Sequence, residues 1–200
     1  MGKFWLGLII GLILIPAAVV VYFAGGFAPA AVNDPPFPLE RLIAGTALHA
    51  RIARSAPKRE LSSFTTANIV DGADVYRHHC VGCHGLPEMQ SNRPEPKMYP
   101  DPPKLFTPDG YVTDDPVGVT YWKVKNGIRM TGMPSFENVL NDQQIWDVGA
   151  LLASADKLPP EASQTLKQPL FPPPPPPGAT PKTTPPNGAA AKRHGPASQR

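Results

Sequence analysis

Hydrophobic positions along this chain fall into blocks of different period, separated by prolines. The first block is continuous: from Phe4 to Phe27 no residue is charged, a run of 24 positions interrupted only by Pro16 and a few glycines. As a helix it measures about 36 Å, enough for a hydrocarbon core of roughly 30 Å, and membrane helices tolerate a proline such as Pro16. The sequence Asn33-Asp34-Pro35-Pro36-Phe37-Pro38 then stops the helix and favours an extended spacer. Period-3.6 spacing returns from Leu39 to about Ala56, with Leu39, Leu42, Ile43, Ala47, Ala50 and Ala53 sharing one face. A third helix is expected from near Thr66 or Asn68 into the run Cys80–His84, turning Val75 and Tyr76 inward, with Gly72 as a local weakness and His78 and His79 at its solvent-facing end. Leu86 to Gly110 is proline-rich and without period, which predicts loop, with Leu105 and Phe106 as its apolar anchors. Asp114 or Asp115 ahead of Pro116 marks another helix start, Pro116 lying in the first turn, and that helix carries Val119, Trp122 and Val124 up to a stop at Asn126-Gly127. The last periodic block opens at Asn141, capped with Gln144 in a reciprocal pair, and buries Ile145, Trp146, Val148, Gly149, Leu151 and Leu152.

From Pro159 onward the pattern is gone. The last 42 residues hold 13 prolines, six of them in the run Pro172 to Pro177. Such a segment buries too little surface to offset its ordering entropy, so it reads as a disordered tail with a polyproline II stretch. Lys167, Lys182, Lys192, Arg193 and Arg200 against Glu161 give it a charge of +4, whereas residues 62–158 carry 8 basic and 12 acidic side chains. The overall +3 therefore averages two segments of opposite sign. A solvated basic tail is its simplest use, and no aromatic platform or folded motif accompanies the charge to suggest nucleic-acid binding. Four regions result: an anchor over 1–30, a linker with an amphipathic helix over 31–63, a folded domain over 64–158 and a tail over 159–200.

Chemistry enters at residues 80 to 84, Cys-Val-Gly-Cys-His, which hold both cysteines of the chain. Two cysteines three apart, followed at once by histidine, is the attachment pattern of a c-type haem. Cys80 and Cys83 would add across the two vinyl groups, and His84 would be held under the iron as proximal ligand. Half a zinc site is the first competitor, but structural zinc takes four protein ligands and a second cysteine pair is absent. A thioredoxin-like redox pair requires a βαβ context that the pattern lacks.

Downstream, residues 126 to 136 read Asn-Gly-Ile-Arg-Met-Thr-Gly-Met-Pro-Ser-Phe, a glycine-punctuated loop with two methionines. Thioether sulfur is a soft ligand that favours ferrous iron and raises the reduction potential. Met133 is the stronger candidate for a second axial ligand, because Pro134 holds it extended and Gly132 permits close backbone approach. Met130 has neither neighbour and reads as a pocket or surface methionine.

With these residues in place, the stretch from about 64 to 156 resembles a class I cytochrome c domain. The resemblance rests on Gly72, Ala73 and Tyr76, on Cys80, Cys83, His84 and Gly85, on Asn126, Gly127, Ile128, Thr131, Gly132, Met133 and Pro134, and on Trp146. It implies an all-α fold: a small helical domain around one covalent haem c, preceded here by a transmembrane helix and followed by the tail. It also implies axial ligation by His84 and Met133, single-electron transfer, and a last helix that crosses the first near the haem, with Tyr76 against Trp146 as the expected contact. Tyr76, Leu105, Phe106, Gly132, Pro134 and Trp146 are the expected pocket residues. The carbonyl that holds the Nδ1 proton of His84 is sought at Pro87, Pro94 or Pro96.

Orientation follows the same resemblance. Lys3 before the apolar run, and Arg41, Arg51, Arg54, Lys58 and Arg59 after it, leave the charge rule ambiguous. Haem attachment outside the bacterial cytoplasm implies an inner-membrane protein with a cytoplasmic N-terminus and a periplasmic haem domain. A cleavable signal peptide has an apolar core of about 7 to 15 residues, shorter than this run, so an uncleaved single-pass anchor is favoured. The expected activity is that of an electron carrier of positive potential between redox-protein partners, with no small-molecule substrate. Two alternatives stand beside the free shuttle: a permanent cytochrome subunit of a dehydrogenase or oxidase complex, and a haem enzyme or gas sensor with an open coordination position.

Overall fold

The computed structural model describes residues 1–87 and 97–169. Within them the chain forms seven α-helices and one short 3-10 turn, and no strand. Helix α1 (Gly2–Ala24) has no buried residue and contains Pro16. Its length and composition suit a membrane span, and a signal sequence at the N-terminus would meet the same description.

Helix α3 (Thr66–His79) starts where the sequence predicts, because Thr65 and Asn68 close a reciprocal capping box. Helix α6 (Asp142–Ala153) starts the same way on Asn141 and Gln144. These two helices form the principal packed pair. Gly72 makes that possible: a Cβ there would fall 2.2 Å from the carbonyl oxygen of Asp147, so only glycine lets the two backbones meet. The residue that weakens α3 as an isolated helix is thus the one that seats it. Helix α5 (Val117–Asn126) closes on α6 from another side, with Val117 against Gly149. Enclosed on several sides, α6 buries every residue from Ile145 to Ala153, and each large apolar side chain among them contributes roughly 1.5–3 kcal/mol.

The structure corrects or completes the sequence reading in three places. Pro116 is the residue before α5 and not within its first turn, and Asp115 instead pairs with Lys123 at 3.2 Å. The expected apolar stripe of the linker helix α2 (Glu40–Ser55) points away from the domain: Leu39, Leu42 and Ile43 are exposed, and the inward side is marked by half-buried Leu48 and buried Ile52. Helix α2 is apolar on two sides, and periodicity alone does not say which is covered. The segment after it is pinned by contact of Pro57 with Gly118 of α5, where a Cβ would not fit.

The third difference corrects the start of the tail. Residues Pro160–Lys167 form helix α7, with Pro160 in its first turn, and it packs on α3 through Ala162 and Leu166, both fully buried. Arg77 of α3 donates to the carbonyls of Gln168 and Pro169 at 3.2 and 2.7 Å, so the fold extends beyond Pro159. Averaging composition over a proline-rich stretch hid one i, i+4 apolar pair. The run Pro172 to Pro177 and the basic residues beyond Lys167 lie outside the described residues, as do Pro94 and Pro96.

Candidate functional site

Helix α3 delivers the chain to Cys80, at the junction with a single turn, α4 (Val81–His84), that carries Cys83 and His84. The turn ends at Gly85, whose φ of 72° is a conformation glycine adopts without strain. Tyr76, fully buried one turn upstream, donates its hydroxyl to the Gly85 carbonyl at 2.8 Å and so ties the end of the motif back to α3. Burial, followed by the nearby Cys80, pushes the Tyr76 phenol well above its ordinary range, which keeps it a donor.

Cys80 is half-buried and Cys83 exposed, and they are not joined by a disulfide. Burial, and secondarily Cys83, pushes the Cys80 thiol up to about 12. Among the described residues no three His, Cys, Asp or Glu side chains converge as a metal cluster.

His84 is half-buried, and its Nδ1 lies 2.8 Å from the carbonyl oxygen of Pro103. The sequence does not locate that carbonyl and offers Pro87, Pro94 and Pro96 as nearby candidates. Of these Pro87 is described, and the partner found is Pro103. The contact is set by the return of the loop after residue 97, where Lys104, Thr107 and Gly110 close a tight turn and fix buried Leu105 and half-buried Phe106 beside it. As a carbonyl only accepts, Nδ1 carries the proton and Nε2 keeps a lone pair. Burial lowers the His84 pKa despite the Pro103 contact, which favours this neutral form.

The methionine loop is built by Gly127. Its φ is 66°, and a Cβ on it would fall 2.7 Å from Pro134, so α5 stops and the chain folds directly over its own end. Ile128 donates its amide to the Met133 carbonyl at 3.2 Å, the Met133 amide donates to the Thr131 hydroxyl at 3.1 Å, and the Ser135 hydroxyl donates to the Lys125 carbonyl at 2.6 Å. Met133 is thereby held half-buried against the core, while Met130, in the left-handed region at φ 59°, stands 92% exposed. Met130 is therefore the surface methionine of the pair.

Two features of this region escaped the sequence. The Met98 sulfur lies 2.6 Å from where a Cβ on Gly132 would be, so a third methionine rests on the loop beside Met133. Only the common presence of sulfur hinted at it. The expected ring contact between Tyr76 and Trp146 is replaced by two others: Tyr76 meets Phe106 edge-on at 5.0 Å, and Trp146 stacks on Tyr121 at 4.1 Å with Phe64 at 6.0 Å. Both tyrosines suit an aromatic partner at this spacing, and only three-dimensional placement chooses between them. Arg59 covers Phe64 and Trp146 from outside.

A haem tethered at the cysteines needs a neutral imidazole with a fixed proton, apolar walls and a soft ligand on a rigid loop. His84 with Pro103, the Tyr76–Phe106–Leu105 wall, and Met133 on the loop braced by Gly127 meet those needs, so the residues fit the group.

The family model described as cytochrome c oxidase, cbb3-type, subunit III, matches residues 67–152. No curated protein and no solved structure matches the chain significantly.

Proposed function

Residues 67–152 are a class I c-type cytochrome domain, and on that basis we propose that the chain is a membrane-anchored, single-haem electron carrier with iron held between His84 and Met133. The observation that carries the reading is the pairing of His84, its Nδ1 seated on the Pro103 carbonyl, with a methionine that its own loop holds half-buried against the core. Cys80 and Cys83 hold the haem covalently, and haem supplies one-electron exchange between ferric and ferrous iron. The chain's own residues do the rest. Pro103 orients His84 and keeps its proton on Nδ1. Tyr76 locks the motif to α3. Gly127 and Gly132 leave space where the loop closes, and Leu105, Phe106 and Tyr76 exclude water from one wall. His84 and Met133 together would leave the iron no position for a substrate, and thioether ligation would favour the ferrous form and a comparatively positive potential. Helix α1 anchors the chain by a single span, with the haem domain on the periplasmic side of the inner membrane, and the partners are redox proteins.

The test is an intact mass and an oxidised-against-reduced absorption spectrum of the protein purified from membranes. A mass carrying one covalent porphyrin and a six-coordinate, carbon monoxide-resistant spectrum support the reading. A chain without porphyrin, or rapid carbon monoxide binding at neutral pH, overturns it. The description of the matching family as an oxidase subunit favours a second reading, in which the same electron carrier is a permanent subunit of a larger complex. Stoichiometric co-purification of a metal- or flavin-bearing subunit in mild detergent distinguishes the two.

A further inference from the structure

We propose that the N-terminal end of α2 lies in the headgroup region of the lipid bilayer as an interfacial segment that orients the haem domain; this rests on reading α1 as an uncleaved anchor. Leu39, Leu42 and Ile43 are 65%, 64% and 62% exposed, an apolar patch on the side of α2 opposite Leu48 and Ile52. Helix α2 cannot roll to bury that patch without losing what holds its other side. Arg41 donates to the Tyr99 hydroxyl at 3.4 Å with its guanidinium 5.8 Å from the ring, Ile52 is buried, and Pro57 is seated on Gly118.

The occupant is indicated by the end of α1. Tyr22 and Phe23, in the last turn of that helix, lie 6.1 and 6.4 Å from the ring of Phe37, and Tyr22 also stacks on Phe27 at 6.4 Å. Aromatic clusters at the end of a spanning helix mark the membrane–water boundary. Phe37 is therefore held at that level, and Leu39 to Ile43 follow it within about 9 Å at helical rise. The Glu40 carboxylate accepts the Phe37 amide at 2.8 Å and so ties the start of α2 to Phe37; at headgroup depth its charge stays hydrated. Arg51 and Arg54 lie at the far end of the helix, so the apolar part meets the acyl boundary while the basic part stays in water or among headgroups. A bilayer covers such a patch without any partner protein.

The seat has a consequence for the haem. Arg41 belongs to the seated end of α2 and holds Tyr99, whose neighbour Met98 rests on Gly132. The loop that carries Met98, Tyr99 and Pro103 is thereby kept on the membrane side of the domain, at a fixed orientation toward membrane-embedded partners.

The experiment uses the full haem-bearing chain in vesicles of phosphatidylcholine and phosphatidylglycerol. With Cys80 and Cys83 consumed by haem, Leu42→Cys, Ile43→Cys and Arg51→Cys each provide one thiol for a spin label. Oxygen, concentrated in the bilayer, should relax the labels at 42 and 43 several-fold more than a water-soluble nickel chelate does, with the reverse at 51. Labels at 42 and 43 as accessible to nickel as the label at 51 overturn the inference. So does protection from both agents, which would mean that a second copy or a partner protein covers the patch. N-terminal sequencing separates the layers: loss of residues 1–24 removes the anchor and this inference together, whereas an intact N-terminus with water-exposed labels removes this inference alone.

Discussion

Asp147, only 3% exposed in α6, accepts hydrogen bonds at one oxygen from Asn68 at 2.9 Å and Gln143 at 2.7 Å. Burial raises its pKa above the ordinary carboxylate value, and the two hydrogen bonds oppose the rise without cancelling it. The folded state therefore holds this proton more tightly than the unfolded chain, so stability falls as pH climbs from the ordinary carboxylate range through the raised value. Asp147→Asn keeps an oxygen for both donors and removes the charge. Chemical denaturation should find the variant equal to the parent or more stable, by up to about 1 kcal/mol, at neutral pH, with the advantage gone at pH below the carboxylate range. A less stable variant at neutral pH would contradict this. At this scale the sequence was informative where chemistry is local: Met130 and Met133 separate on their neighbours alone, since Pro134 and Gly132 flank only the second. It was silent where a contact depends on a returning loop, as with Pro103 on His84 and Met98 on Gly132.

Helices were legible where a cap, a stop or a period announced them, and α3 and α6 begin on the side chains that sequence nominated or on their immediate neighbours. What a helix packs against was less legible. Gly72 reads as a weak point in one dimension and is a contact point in three. Gly72→Ala should overpack the α3–α6 crossing, where the Asp147 backbone has no room to yield, and cost about 1–3 kcal/mol or more in denaturant unfolding; a neutral effect would mean that the helices do not meet there. The eight-residue α7 was lost in the composition of the proline-rich stretch around it, although Ala162 and Leu166 are as buried as any residue of α6. Leu166→Ala should therefore cost about 2–5 kcal/mol, measured by the same unfolding, whereas a tail residue would give no change. The stripe of α2 shows the remaining ambiguity: helical period identifies apolar faces, and the neighbour that covers each face is a property of the assembled molecule.

As a whole, the domain is small for an independent core. Part of its apolar wall, including Phe106, Leu86, Cys80 and Met133, is only half-buried by protein. A haem held at this wall, as proposed, would complete it, so the chain should depend on it. The double variant Cys80→Ala/Cys83→Ala should lose cooperative thermal unfolding and much of its haem-domain helicity by circular dichroism; a fully helical, cooperatively melting haem-free chain would contradict that dependence. In the proposed site a methionine sulfur completes the iron coordination, and the most direct measurement is the methionine-to-iron charge-transfer band of the oxidised protein in Met133→Ala and Met130→Ala. Loss of the band in the first with retention in the second is the predicted result. A band that survives Met133→Ala would place the ligand elsewhere, with Met98 the first residue to test, and would contradict the assignment.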